Sequence, residues 1–223
     1  MIISDWSDVP DRLATLSTHP HAGSVFGAND HQWRLEPPVT EHELAELESQ
    51  LGVDLPAEYR TFLLQVSRGG AGPAYGLFPL RRVGGRWCWE GDGATLTDLE
   101  TLSQPFPHTE AFNPADGLPE PPDEDDFESE EQFNAAEDAY WEQHDAAVCA
   151  PEHYVGLLYL CHLGCAYREA LVINGPARGR MWADDTADDR GFRPLREPDG
   201  SPTGFASCYR GWLEQAEEQA RSR

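Results

Sequence analysis

The chain has 223 residues, with 40 Asp and Glu against 16 Lys and Arg, a formal net charge of -24 and a pI near 4.5. All 16 cations are arginines, so P-loop, Schiff-base and lysine general-base chemistry is excluded. A chain this acidic is a poor ligand for DNA, RNA or an anionic membrane, because phosphate binding needs clustered cations; the expected partner is neutral or basic.

Hydrophobic residues at 39%, with seven Trp, suffice to bury a core in one domain with insertions or two small ones. No apolar run reaches the roughly 18 residues of a membrane span. Met1 to Asp8 lacks the basic and apolar regions of a signal peptide, and five Cys do not suggest a disulfide framework. A cytoplasmic protein is expected.

A short helix is predicted from Pro10 to Leu16, with Pro10 in the tolerated first turn. Pro37-Pro38 forbids helix and sets up the next start. There Thr40 and Glu43 form a capping box, Leu44, Leu47 and Leu51 make one apolar stripe, and Gly52 ends the helix. A second helix starts at Pro56, buries Tyr59, Phe62, Leu63 and Val66, and stops at Gly69-Gly70. The aromatic and aliphatic runs around Gly84-Gly85 predict a hairpin.

Residues 116–145 hold 13 acids and no arginine, so this segment alone carries -13. Its Pro- and Asp-rich first half is expected to be a mobile loop. Ser129-Glu130-Glu131-Gln132 is a capping signature with acids at the positive end of the helix dipole. An amphipathic helix is predicted to about Val148, docked by Phe133, Ala136, Tyr140 and Trp141. Farther on, Tyr154 to Leu160 is an apolar run. Residues 169–173 and 178–182 flank Asn174-Gly175-Pro176-Ala177 and predict a second hairpin. The acidic loop Asp184 to Asp189 follows, and Phe205 to Ala220 closes the chain as a helix.

Chemical motifs are weak. Cys149, His153, Cys161, His162 and Cys165 lie close in sequence, but Cys161-x3-Cys165 has no matching second pair, and buried or strand-end cysteine explains them better than metal. The Gly69 to Gly76 stretch follows a helix and lacks the dinucleotide fingerprint. Asp184 to Asp189 lacks calcium-loop spacing and is expected to be a solvated turn. No nucleophile elbow is present. A non-enzyme without metal or cofactor is expected.

Taken in order, these residues resemble the SMI1/KNR4 family of the SUKH superfamily. The resemblance lies in Pro37-Pro38-x-Thr40-Glu41-x-Glu43-Leu44-x-x-Leu47-Glu48-x-x-Leu51-Gly52-Val53-x-Leu55-Pro56-x-x-Tyr59-Arg60-x-Phe62-Leu63. It continues through Gly69 to Leu77, Leu163 to Val172, Gly175 to Trp182 and Phe205 to Leu213. It covers Phe26 to Glu214, interrupted by the acidic segment, which lies outside the matching blocks.

The resemblance implies an α+β fold, a mixed twisted sheet flanked by helices. The expected division is an N-terminal helical extension (1–25), the domain's first part (26–115), an acidic helical insertion (116–148) and the second part (149–223). Bacterial members are commonly immunity proteins that neutralise a cognate toxin, often a nuclease; fungal relatives are regulatory interaction proteins. Two readings follow, an immunity protein that occludes a basic toxin domain, and a regulatory or scaffold domain with another protein partner. The expected partner-binding residues are Asp123, Glu124, Asp125, Asp126, Phe127, Glu128, Glu130 and Glu131 in the arm. Asp184, Asp185, Asp188 and Asp189 join them from the second loop, with Phe127 and Trp182 as exposed aromatic anchors.

Overall fold

The computed structural model describes residues 5–222. In chain order its elements are α1 (Val9–Ser17), α2 (Ala28–His31), α3 (Glu41–Leu51), α4 (Ala57–Gln65), β1 (Leu80–Val83), β2 (Arg86–Trp89) and α5 (Glu130–Val148). They continue with β3 (Leu157–Gly164), β4 (Tyr167–Val172), β5 (Met181–Asp184), β6 (Phe192–Pro194) and α6 (Phe205–Arg221).

Local signals place the first helices. Thr40 accepts from the Glu43 amide at 3.2 Å, and the Glu43 carboxylate accepts from the Thr40 amide at 2.8 Å, closing the capping box of α3. The chain leaves α3 at Gly52, whose φ of 69° is the left-handed conformation that glycine adopts without a Cβ penalty. Thr40→Ala is expected to destabilise the protein by about 1 kcal/mol in urea unfolding, while Thr40→Ser keeps the cap. Equal midpoints for both variants would contradict this role.

Helices α1, α4 and α6 share one aromatic cluster. Trp6 packs on Phe62 at 5.2 Å between ring centroids and on Tyr209 at 6.0 Å, and Phe205 lies 4.9 Å from Tyr59. The Trp6 indole donates to Thr61 Oγ1, and the Tyr209 hydroxyl donates to the Ala71 carbonyl. Arg210 donates to the Asp8 carboxylate at 2.9 Å and lies over the Trp6 ring. This arginine, against a smaller desolvation effect, holds the Asp8 carboxyl down to about 2. The first turn of chain is therefore part of the same core as the helices after residue 37.

Behind the helices, β3, β4, β5 and β6 form a four-stranded sheet in sequence order, and β1 and β2 pair separately. Every pair is antiparallel, where the resemblance implied a mixed sheet. The α+β class holds, because helices gather on the sheet and strands follow one another through short turns. The β3–β4 turn is Cys165-Ala166, both at positive φ, a two-residue turn of the hairpin type built without glycine. The glycine-rich exit of α4 joins the sheet through a bridge from Gly70 to Leu77 and another from Leu77 to Cys161. Gly70 has φ 103°, and a Cβ there would lie 2.4 Å from the Arg34 carbonyl oxygen, so only glycine lets the two backbones meet.

The acidic helix α5 forms where capping predicts it, but its docking differs. Trp141 is 44% exposed, and Phe133 and Tyr140 are only half-buried. The buried residues are His144 and Val148, one turn apart near the C-terminal end. An apolar stripe needs an opposing apolar surface; here that surface meets only the last turns of the helix. Among the described residues, no helix is long and apolar enough to cross a membrane.

Candidate functional site

The arm leading into α5 is built from its own backbone. Asp123 accepts from the Asp125 amide at 3.0 Å and opens a single 3-10 turn, Glu124–Asp126. Ser129 then caps α5 by accepting from the Gln132 amide at 3.3 Å. These local bonds turn Asp123, Glu124, Asp125, Asp126, Glu128, Glu130 and Glu131 outward, all exposed. Phe127 is half-buried and closes on Phe133 across the start of the helix, centroids 5.9 Å apart. It therefore clasps the arm more than it projects from it.

The electrostatics of this arm differ from the rest of the molecule. Arginines elsewhere are widely engaged: Arg12 with Glu217 at 2.7 Å, Arg81 with Glu36 at 2.7 Å, Arg86 with Glu100 at 3.0 Å. Among the described residues, none of the acids from Asp116 to Glu142 is ion-paired with an arginine. The acids of the globular part are partly neutralised within the fold, and those of the arm are left for solvent or a partner.

The second acidic segment splits in two. Asp184, expected in a solvated loop, is the last residue of β5 and only 3% exposed. It accepts from the Tyr159 hydroxyl at 2.6 Å and from the Thr186 hydroxyl and amide at 2.6 and 3.1 Å. Burial first, and then the Asp184 charge, push the Tyr159 hydroxyl well above its ordinary value. Asp185 is also buried and accepts from Arg193 Nε at 2.7 Å. Asp184 thus ties the end of β5 to β3 and to the turn Thr186–Asp188, and Asp185 ties it to β6 through Arg193. Trp182, expected as an exposed anchor, is 1% exposed and packs edge-on to Phe106 at 4.9 Å. Every residue of β5 is buried, which a half-exposed hairpin pattern did not foretell.

Asp188 and Asp189 are exposed as expected. Asp188 accepts from the Tyr167 hydroxyl and lies 3.4 Å from Arg190. Asp189 adopts a left-handed φ of 54°; its carboxylate sits 2.9 Å from His144 Nε2, and its carbonyl accepts from Asn113 Nδ2 at 2.6 Å. The turn after β5 is thus the mooring point of α5. From His144 the helix runs about 21 Å back to Glu130, at 1.5 Å per residue, so the two acidic segments meet through the far end of α5 and not at their densest points.

The cysteine and histidine group is scattered. Cys161 is buried in β3, Cys149 and Cys165 are exposed at a helix end and a hairpin turn, and His162 stacks on Tyr75. Among the described residues, no three His, Cys, Asp or Glu side chains are arranged to hold a metal ion. The histidine that sequence reasoning missed is His144; its signal was a polar residue one turn before Val148 on the buried side of α5.

The family model for the SMI1 / KNR4 family (SUKH-1) matches residues 38–165. The match takes in the capped helix pair, β1, β2, the acidic arm and β3, and ends at the β3–β4 turn. Domains of this family are commonly immunity proteins of toxin systems and are generally non-catalytic. No curated protein and no solved structure matches the chain. With more than half of its residues inside the match, and the Leu51-Gly52 to Phe62-Leu63 block forming the helix turn that carries the resemblance, the chain belongs to the SMI1/KNR4 (SUKH-1) family.

Proposed function

We propose that this protein is a non-catalytic cytoplasmic binding protein of the immunity type, which neutralises a basic toxin domain by occluding it. The domain spans 26–115 and 149–223, preceded by a helical extension (1–25) and interrupted by the acidic insertion 116–148. The observation that carries the reading is the arm itself, exposed acids without arginine partners beside a fold whose other acids are widely paired. Uncompensated charge on one arm makes a directed field. Such a field steers a cationic partner and raises its association rate by about 10- to 1000-fold. A nuclease toxin fits this chemistry because its substrate demands a cationic face.

The proposed contact residues are Asp123, Glu124, Asp125, Asp126, Glu128, Glu130 and Glu131, with Phe127 at their base and Asp188 and Asp189 at the mooring of α5. Replacing the seven arm acids by Asn and Gln lowers the charge of residues 116–145 from -13 to -6 and keeps the Ser129 cap. Stopped-flow mixing with the partner toxin domain is expected to show association slowed at least about tenfold, with a flattened salt dependence. Deletion of residues 119–131 is expected to do the same. Unchanged kinetics in both variants would take the arm out of the interface.

A further inference from the structure

A second feature lies away from the arm. A cleft of about 610 Å³ opens between α6, the strands β4 and β6, and the loops carrying Phe26 and Ala74. It contains two carboxylates, Glu169 from β4 and Glu197 from the loop after β6, and two arginines, Arg193 and Arg196. Both arginines are engaged by acids that do not line the cleft: Arg193 with Asp185 at 2.7 Å and Arg196 with Glu110 at 2.8 Å. Neither arginine makes a contact ion pair with the two carboxylates, although Arg193 lies near enough to Glu169 to oppose part of the effect of burial. Among the described residues, neither Glu169 nor Glu197 has an ion-pair partner.

Their hydrogen bonding is equally incomplete. Glu169 Oε2 meets only the thiols of Cys161 at 3.7 Å and Cys208 at 3.6 Å, which are weak donors. Glu197 Oε1 is buried with no hydrogen-bond partner. Burial, the largest influence, pushes the Glu169 carboxyl above the ordinary carboxylate range. Native proteins seldom bury carboxylate oxygens without donors, because each such group forfeits its hydration. A group bearing several N–H donors and a positive charge would satisfy both.

Beside the carboxylates stands an apolar wall. Phe26, 57% exposed, lines the cleft and touches Tyr75, 39% exposed, with centroids 5.2 Å apart. Trp212 and Leu195 also line the cleft. Aromatic anchors next to a desolvated charge are the composition of an interface hot spot. The planar guanidinium suits this setting better than an ammonium, since it offers five donors in a fixed fork, stacks on aromatic faces and sheds water more readily.

We propose that this cleft receives an arginine side chain of the protein partner, with its guanidinium between Glu169 and Glu197 and an adjoining apolar residue against Phe26 and Tyr75. The proposal rests on the reading of the chain as a binder of a basic protein, and it supplies the short-range contact that the long-range field of the arm lacks. Charge on the arm governs how fast the partner arrives; the cleft governs how long it stays.

The test uses the full chain and two peptides, acetyl-Phe-Arg-Gly-amide and its citrulline counterpart, which keeps the shape and removes the charge. NMR titration at millimolar peptide is expected to shift the Trp212 indole resonance with the arginine peptide and at least tenfold more weakly with citrulline. Glu169→Gln and Glu197→Gln are each expected to weaken arginine-peptide binding about tenfold. Thermal midpoints of both variants are measured beside the titration and are expected to stay at or above that of wild type, so that loss of binding does not reflect misfolding. Equal binding of the two peptides, or undiminished binding by the double variant, would overturn the arginine site. In the whole complex, the double variant is expected to raise the dissociation rate at least tenfold. A basic partner that leaves wild type and double variant at the same rate overturns the cleft and upholds the immunity-type reading. Arginine-peptide binding that needs both glutamates, in a protein whose native partner is not basic, upholds the cleft and overturns that reading.

Discussion

Trp182→Ala is expected to lower the free energy of unfolding by about 3–5 kcal/mol, the range for removing a large aromatic from a packed interior. Trp182 faces Phe106 edge-on at 4.9 Å and lies within 6.3 Å of Phe112, which in turn stacks on Phe192 at 5.0 Å. Phe112 belongs to the linker that precedes the acidic arm, and its bridge to Phe192 lays that linker along the sheet edge. Emptying the Trp182 site thus undermines both β5 and the segment from which the arm departs. Total stabilities near 5–15 kcal/mol leave little margin for such a loss. The Trp182 indole nitrogen is buried without a partner, so Trp182→Phe discards an unsatisfied donor and is expected to cost less than about 1.5 kcal/mol. Urea unfolding of the two variants checks both values. A change within about 0.5 kcal/mol for Trp182→Ala would return this residue to the surface.

Acidification is expected to destabilise the protein between about pH 6.5 and pH 4, with His31 as a major cause. The ring is packed against Trp33 at 5.0 Å and Trp212 at 5.8 Å; Nδ1 accepts from the Trp33 amide, and Nε2 is buried without a partner. Burial holds the imidazole down to about 4, opposed only weakly by the nearby Asp30 charge. In this window the unfolded chain takes up a proton that the native ring refuses. Stability is therefore full above about 6.5 and falls as pH drops towards 4, where the native ring also becomes charged. After allowance for partial contact of the ring with solvent, the loss is about 2 kcal/mol. His31→Gln keeps an acceptor for the Trp33 amide and does not titrate. Its unfolding free energy between pH 7 and 4.5 is expected to slope less steeply than that of the parent by about this amount. Parallel slopes would remove His31 from the acid response.

The parts of the fold that were legible in the sequence are those fixed by local chemistry. Thr40, Glu43, Gly52 and Pro56 specify the α3–α4 pair through caps and breakers, and Ser129 specifies the start of α5; each signal acts within four residues. The β4–β5 hairpin was visible for the same reason, through Asn174-Gly175-Pro176. What escaped depends on partners distant in sequence. Cys165-Ala166 makes the β3–β4 turn although neither residue favours positive φ, so the surrounding strands impose the turn. The apolar stripe of α5 looked like a docking face, yet only its C-terminal turns find a surface.

The site was legible to a similar degree. Exposure of the arm acids followed from composition, since a run of Pro, Asp and Glu has nothing to bury. A run of acids suggests a solvated loop, yet Asp184 is buried at the end of β5. The pattern Asp184-Asp185-Thr186 held a contrary hint, an Asp positioned to accept from the amide two residues on. That Glu169 and Glu197 line one cleft has no sequence signature at all, since β4 and a loop after β6 bring them there beside α6.

The most direct test of the central claim is isolation of the native complex of the full chain, with its stoichiometry, the charge of the partner and the salt dependence of association measured together. A one-to-one complex with a basic toxin domain whose activity is blocked is expected, with an association rate that falls steeply as salt rises from about 50 to 500 mM. A partner without excess positive charge, bound at a rate indifferent to salt, would contradict it.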